Sequence, residues 1–430
     1  MMLKKLNATL AMGGATALAL SLAAPAYAQD QVELTWLVDN GPSTVDIAEA
    51  LVAAYEEKNP NVSIELEIRP GGGEGDNIVK TRLATGEMTD IFVYNSGSLL
   101  QAIAPQQTLM PLTDQPFMDN VQEAFQSVVS TDGEVFGVPY GAAQGGGILY
   151  NSAIYEELGL EVPQTWDAFM ENNSAIDEAG YIPVIQTFRE SWTSQIFVLA
   201  DFYNVLQAEP DFAERYTNNE AKYATSEAAQ KGFERLAAIH EAGYTNEDFN
   251  ALGYQEGLEM LANKEGAHYP MITFAIPSLE TNYPDQVDDI GFFALPGDDA
   301  DSNGLTTWMP AGVYVPQTTS NPEVAMDFLG FIASVEGCEA MIDAVGANGP
   351  YLIEGCGLPD DVVPAVRDML PYFEEGRVEP ALEFLSPIKG PALEQITVEV
   401  GSGFRDPASA AELYDQDVRK QAQQLGLEGW

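Results

Sequence analysis

The chain has 430 residues, 46% of them hydrophobic, and 66 Asp plus Glu against 18 Lys plus Arg, for a formal net charge of −48. This apolar content is that of a packed globular chain, long enough for two or three domains of about 150 residues. The acid excess argues against nucleic acid as a partner, because phosphate binding needs a basic footprint, and disfavours docking on anionic lipid. Two cysteines exclude a disulfide scaffold and an all-thiolate zinc site.

Residues 1–28 read as a signal peptide. Lys4 and Lys5 precede a mainly Ala/Leu/Met run from Leu6 to Leu22, and Ala26-Tyr27-Ala28 supplies the small-x-small cleavage pattern. No Cys follows the run, so a lipid anchor is not expected. No later segment is apolar for the ~18 residues that a spanning helix requires. A secreted, soluble, periplasmic product is expected, with Cys338 and Cys356 joined as one disulfide in oxidising surroundings.

Glu33 to Val38 reads as a strand ending in the turn Asp39-Asn40-Gly41-Pro42. A helix follows, with Val45, Ala48, Val52 and Tyr55 on one face, and it stops before Asn59-Pro60. Val62, Ile64, Leu66 and Ile68 alternate as a strand, Asp76 to Thr85 is a helix closed by Gly86, and Asp90 to Tyr94 is a short buried strand. This alternation implies a mostly parallel sheet covered by helices. It resumes with Ile148 to Asn151 (strand), Ser152 to Leu158 (helix) and a helix capped by Thr165. Ser226 to His240 (helix), Ile290 to Leu295 and Val313 to Pro316 (strands) and Glu323 to Ala333 (helix) follow.

Several pieces, in order, carry a family resemblance. They include Leu83-Ala84-Thr85-Gly86 leading to Thr89-Asp90-Ile91-Phe92, then Gly137-Val138-Pro139 and Leu149-Tyr150-Asn151. Pro163-Gln164-Thr165-Trp166, Gly180-Tyr181-Ile182-Pro183, Gly291 to Gly297 and Ser320-Asn321-Pro322-Glu323 continue the set. The ordered set, spanning roughly 33 to 336, resembles bacterial extracellular solute-binding proteins of the carbohydrate type, the maltose-binding-protein-like capture components of ABC importers. The resemblance implies an α/β fold of two lobes facing across a ligand cleft. Lobe one would be 29–138 plus 272–334 and lobe two 139–271 plus 335–430, with crossings near Val138-Pro139-Tyr140, near Pro270-Met271-Ile272 and after Ala333. It also implies a monomer that hands a small-molecule carbohydrate to the permease subunits, with neither catalysis nor a cofactor.

A sugar offers apolar C–H faces and a rim of hydroxyls, so its site needs flat aromatic platforms and planar polar side chains. Asn40, Asn95 and Ser96 sit on loops after strand carboxyl ends, where open α/β sheets place ligands. The resemblance puts Gln144 where the family carries a ligand-contacting acid, so maltose specificity itself is not carried over. It also puts Glu190 and Trp192 where the family supplies an acid and an aromatic, and Tyr269 at a crossing that often presents an aromatic. Trp308 follows an acidic loop and is placed to close the cleft from lobe one. Each of these residues also has an ordinary reading as a turn, core or surface residue.

The alternatives are the same scaffold holding a polyol or an organic cation, or a secreted glycan-active enzyme. There is no Gly-x-Ser-x-Gly elbow and no His-x-x-x-His pair, His240 reads as a structural helix residue, and the glycines at 71–75 lack a following Lys-Ser/Thr. Asp299 to Gly304 matches the first half of a calcium loop, but Pro310 stands where the bidentate Glu belongs, so no metal is expected.

Overall fold

The structure, a computed structural model, describes residues 31–430. The expected signal peptide at 1–28 lies outside the described residues. No helix among the described residues is long and apolar enough to cross a membrane.

Among the described residues there are thirteen strands in chain order: β1 (Val32–Asp39), β2 (Val62–Arg69), β3 (Ile91–Tyr94), β4 (Ser130–Thr131), β5 (Glu134–Val135), β6 (Gly137–Tyr140), β7 (Gln144–Asn151), β8 (Ile182–Val184), β9 (Gly266–Ile272), β10 (Ile290–Ala294), β11 (Leu305–Trp308), β12 (Ala311–Tyr314) and β13 (Val378–Pro380). One sheet has the order β2-β1-β3-β12-β6. Its β1 is parallel to both neighbours, and β12 runs antiparallel to β3 and β6. The other has the order β13-β11-β7-β9-β8, with β10 also paired to β7. A two-stranded β4-β5 ribbon completes the set.

Local sequence explains the helices between them. Helix Pro42–Lys58 opens with Pro at its first position, whose missing N–H would have had no helical partner. Helix Gly72–Thr85 ends at Gly86, which takes φ 72° and turns the chain out of the helix without a Cβ penalty. The hydroxyls of Thr165 and Ser226 accept the N–H groups of Ala168 and Ala229 at 3.3 and 3.1 Å, capping helices Trp166–Glu178 and Glu227–Glu241.

Each sheet has its own core. Trp36, Phe92, Val313 and Tyr314 of the first sheet pack with Phe328 and Leu329 of helix Pro322–Ile332. On β7, Ile148 and Tyr150 enter one core of the second sheet with Phe293, while Leu149 points to the opposite face with Tyr269 and Phe292. This is the period of two that a strand covered on both faces requires.

The strands divide between the sheets differently from the expected lobe limits, 29–138 plus 272–334 and 139–271 plus 335–430. β10 and β11 lie inside 272–334, yet both bond antiparallel to β7 in the second sheet. Helix Val335–Val345 and Tyr351 to Ile353, expected in lobe two, pack in the first core through Cys338, Met341 and Tyr351. The chain therefore passes between sheets at 141–143, at 309–310 and after Ile353. An apolar strand pattern marks Ile290–Ala294 as a strand but does not say which neighbour it pairs with.

Cys338 and Cys356 form a disulfide with Cα atoms 6.3 Å apart, the pairing expected from sequence. It ties helix Val335–Val345 to the segment that leaves the first core.

Candidate functional site

A cavity of about 450 Å³ lies between the two sheets, within the range of small-molecule sites. The first sheet contributes Asp39 at the end of β1, Gly41, Ser43 and Thr44 after it, and Asn95 just beyond β3. These are carboxyl ends of two parallel strands, so their loops emerge on the same side. The Gly41 N–H donates to Asp39 Oδ1 at 2.9 Å, closing the turn that starts the helix. The Tyr140 hydroxyl donates to the Thr44 carbonyl, and its acidity is suppressed by burial and then by the nearby Asp39.

The passages between sheets form the floor. At the first, Ala142 pairs with Tyr351 and the Ala143 N–H donates to the Pro350 carbonyl at 2.8 Å, which holds Asn348 and Tyr351 against the cavity. At the second, Met309, Pro310 and Ala311 line the space, and the Ser96 hydroxyl donates to the Pro310 carbonyl at 2.8 Å. Gln144 and Trp308 are directly opposed across the β7–β11 pair. A Cβ built on Gly146 would lie 2.1 Å from the Trp308 ring, so the glycine leaves the space that the indole occupies.

The remaining side comes from Tyr254, Gln255, Phe274 and Ser278. The Tyr254 and Phe274 rings stack at 5.7 Å and 24°. Trp192 stands behind them, 5.4 Å from Tyr254 and 5.6 Å from Phe274.

The predicted residues thus divide. Asn95, Gln144 and Trp308 line the cavity together. Trp192 supports two lining aromatics without lining it. Glu190 accepts the Tyr254 N–H at 2.9 Å and pairs with Arg189 at 3.5 Å, while Arg189 grips Glu256 through two bonds of 2.8 Å. That arrangement fixes the start of helix Tyr254–Ala262. Asn40 is exposed and turned to the Gly71 N–H at 3.0 Å, and Ser96 is buried against Pro310. Tyr269 is 1% exposed, with its hydroxyl 2.7 Å from Thr187 Oγ1. β9 places Tyr269 on the core face, away from the cavity, because its side chain packs with Leu149. Sequence reasoning missed Asp39, Tyr254, Gln255, Phe274, Ser278, Asn348 and Tyr351 as lining residues. Of these, only the turn after β1 carried a local signal.

Among the described residues Asp39 is the only lining residue with a formal charge, and five aromatic side chains surround amide and hydroxyl groups. Such a lining suits a neutral hydroxylated molecule or a cation. The histidines lie elsewhere. His268 is fully buried between Tyr155, at 2.7 Å, and Asn173 with the Pro183 carbonyl, both at 2.9 Å, and burial holds its pKa down to about 3. The acidic loop after β10 is tied by Asp298 to Lys231 and Arg235, each at 3.0 Å, and by Asp299 accepting the Asp301 N–H. Among the described residues no group of three or more His, Cys, Asp or Glu could hold a metal ion.

Residues 41–337 match the family described as bacterial extracellular solute-binding protein. The chain is 22% identical over 311 residues to a multiple sugar-binding protein of Streptococcus mutans, with 71% of each chain covered. Its fold superimposes on a chitin oligosaccharide binding protein with a TM-score of 0.77, at 21% identity, over 92% of this chain and 100% of the other. A raffinose complex of the solute-binding protein RafE gives 0.76 at 20% identity, again over 92% and 100%. The chain belongs to the bacterial extracellular solute-binding protein family, and its fold is the two-lobed one.

Proposed function

We propose that this family member captures a mono- or oligosaccharide outside the cytoplasmic membrane and delivers it to the permease subunits of an ABC importer, as a soluble periplasmic monomer. It acts by binding, without turnover. One observation carries the reading: among the described residues the cavity between the lobes combines five aromatic side chains with amides and hydroxyls and has no Lys or Arg in its lining. Aromatic faces take the C–H faces of a sugar, and Asn95, Gln144, Gln255 and Asn348 both donate and accept towards its hydroxyls. The sugar-binding names of the relative and the structural neighbours support the same class. Because both lobes contribute lining, a ligand touching both stabilises the closed arrangement over the open one.

The test is calorimetric titration of residues 29–430, unfolded and refolded to remove carried-over ligand, against raffinose, stachyose, chitin oligosaccharides and xylo- and arabino-oligosaccharides. Micromolar binding, about −8 kcal/mol, that Trp308→Ala and Gln144→Ala weaken at least tenfold is the expected result. Silence across the panel from folded protein would refute the saccharide assignment. Asp39 among aromatics favours an organic cation as the second reading. Its binding would weaken steeply with salt, whereas saccharide binding would not.

A further inference from the structure

A second cavity, of about 240 Å³, opens between the same lobes and shares Ser43 and Val345 with the first. Glu280 lines it from helix Ile276–Asn282, which Ile276 and Leu279 anchor in the core of the second sheet. Facing it is Gly346, which ends helix Val335–Val345 on the first lobe. A Cβ built on Gly346 would lie 2.7 Å from Glu280 Oε2, so the carboxyl is packed directly against the other lobe's backbone. That oxygen is buried and has no hydrogen-bond partner.

The surroundings give an ionised carboxyl no cation to pair with. Helix Pro42–Lys58 presents Asp46 and Ser43, and its own helix presents Thr281. Helix Val335–Val345 presents its carboxyl end, where the helix dipole is negative. The Tyr351 phenol is close enough to feel the Glu280 charge. Among the described residues no Lys, Arg or His lines the cavity.

We propose that closing of the two lobes in the ligand-free protein is coupled to proton uptake at Glu280. The idea rests on the capture reading only in treating the lobes as moving parts. When the lobes part, Gly346 withdraws and water reaches the carboxyl, which then ionises in its ordinary range. With Gly346 packed against it, as in this structure, burial pushes it up to about 7. The closed form therefore holds the proton more tightly. Its advantage is full below the ordinary carboxyl range and is lost as pH rises through about 7. Glu280 keeps some solvent contact, so the expected change in the closed-to-open ratio between pH 5 and pH 8 is on the order of tenfold.

Small-angle X-ray scattering of ligand-stripped residues 29–430 from pH 5 to 8.5 tests this. The radius of gyration should rise through a midpoint near 7 in the parent protein, and Glu280→Gln should hold the compact value throughout. A flat profile in the parent, or a profile that Glu280→Gln leaves unchanged, would overturn the proposal. Should circular dichroism show Glu280→Gln unfolded, Glu280→Ala takes its place under the same criteria. No saccharide is present in this experiment, so its failure leaves the calorimetric test of the ligand class untouched.

Discussion

Gly146→Ala should damage binding while adding only one methyl group. The new Cβ would sit 2.1, 2.9 and 3.1 Å from three carbons of the Trp308 ring. Carbon atoms in contact prefer about 3.5–4.0 Å, so the ring must retreat by about 1.5 Å. The indole is only 8% exposed and packs in the core of the second sheet, which leaves the cavity as the side with free space. Overpacking of this kind costs about 1–3 kcal/mol of stability. A ring pushed into the cavity takes room from the ligand, and a loss of one stacking contact or hydrogen bond, about 1.4 kcal/mol, is tenfold in Kd.

The assay is paired: urea unfolding for stability, and calorimetry with whichever saccharide of the panel binds. Trp308→Leu should relieve the strain of Gly146→Ala, because the smaller side chain no longer reaches the added methyl. It should not restore affinity, since the platform is gone. Parent-like affinity and stability for Gly146→Ala would refute the claim that this glycine sets the position of Trp308.

Three further outcomes follow from the structure. Arg235 and Asp201 are 4% and 1% exposed and paired, and burial raises the Asp201 carboxyl to about 6 despite the guanidinium. Arg235→Met should cost about 3–5 kcal/mol by stranding that carboxylate, and adding Asp201→Asn should recover much of the loss in urea titrations. His268 stays neutral in the fold but takes a proton when unfolded. Its contribution to stability is therefore present above about pH 6.5 and falls by up to about 1.4 kcal/mol per pH unit as the pH drops from there towards 3. Urea titrations at pH 7 and pH 5 should show a smaller pH difference for His268→Gln than for the parent. Reduction of Cys338–Cys356, separated by 18 positions, should cost about 3 kcal/mol by releasing loop-closure entropy, measured with and without reductant.

Most elements were legible because their signals are local. Helix Pro42–Lys58 shows its inward face through Ala48 and Tyr55, and Thr165 and Ser226 cap the helices they announce. Even here the pattern can run past its meaning. The alternation Val62, Ile64, Leu66, Ile68 predicts four inward residues, yet Ile68 is 51% exposed while Arg69 is buried and donates to the Val93 carbonyl at 3.3 Å. At the end of β2, on the strand face opposite Val62 and Ile64, the buried position is filled by a side chain whose charge a pattern reading would send to water.

The cleft was less legible because assembly makes it. Asn95, Gln144 and Trp308 could be named since each sits beside a turn or an ordered family segment. Tyr254, Phe274 and Tyr351 sit in stretches that look like ordinary helix and loop, and they meet only when β9, the helix start at Tyr254 and the return past Asn348 are brought together. Glu190 and Trp192 show the same limit from the other side. The segment was found, but one residue holds the Tyr254 backbone and the other backs the Tyr254–Phe274 stack. Their effect on a ligand passes through Tyr254. Removing either should therefore weaken binding less than removing Trp308, whose ring borders the cavity directly.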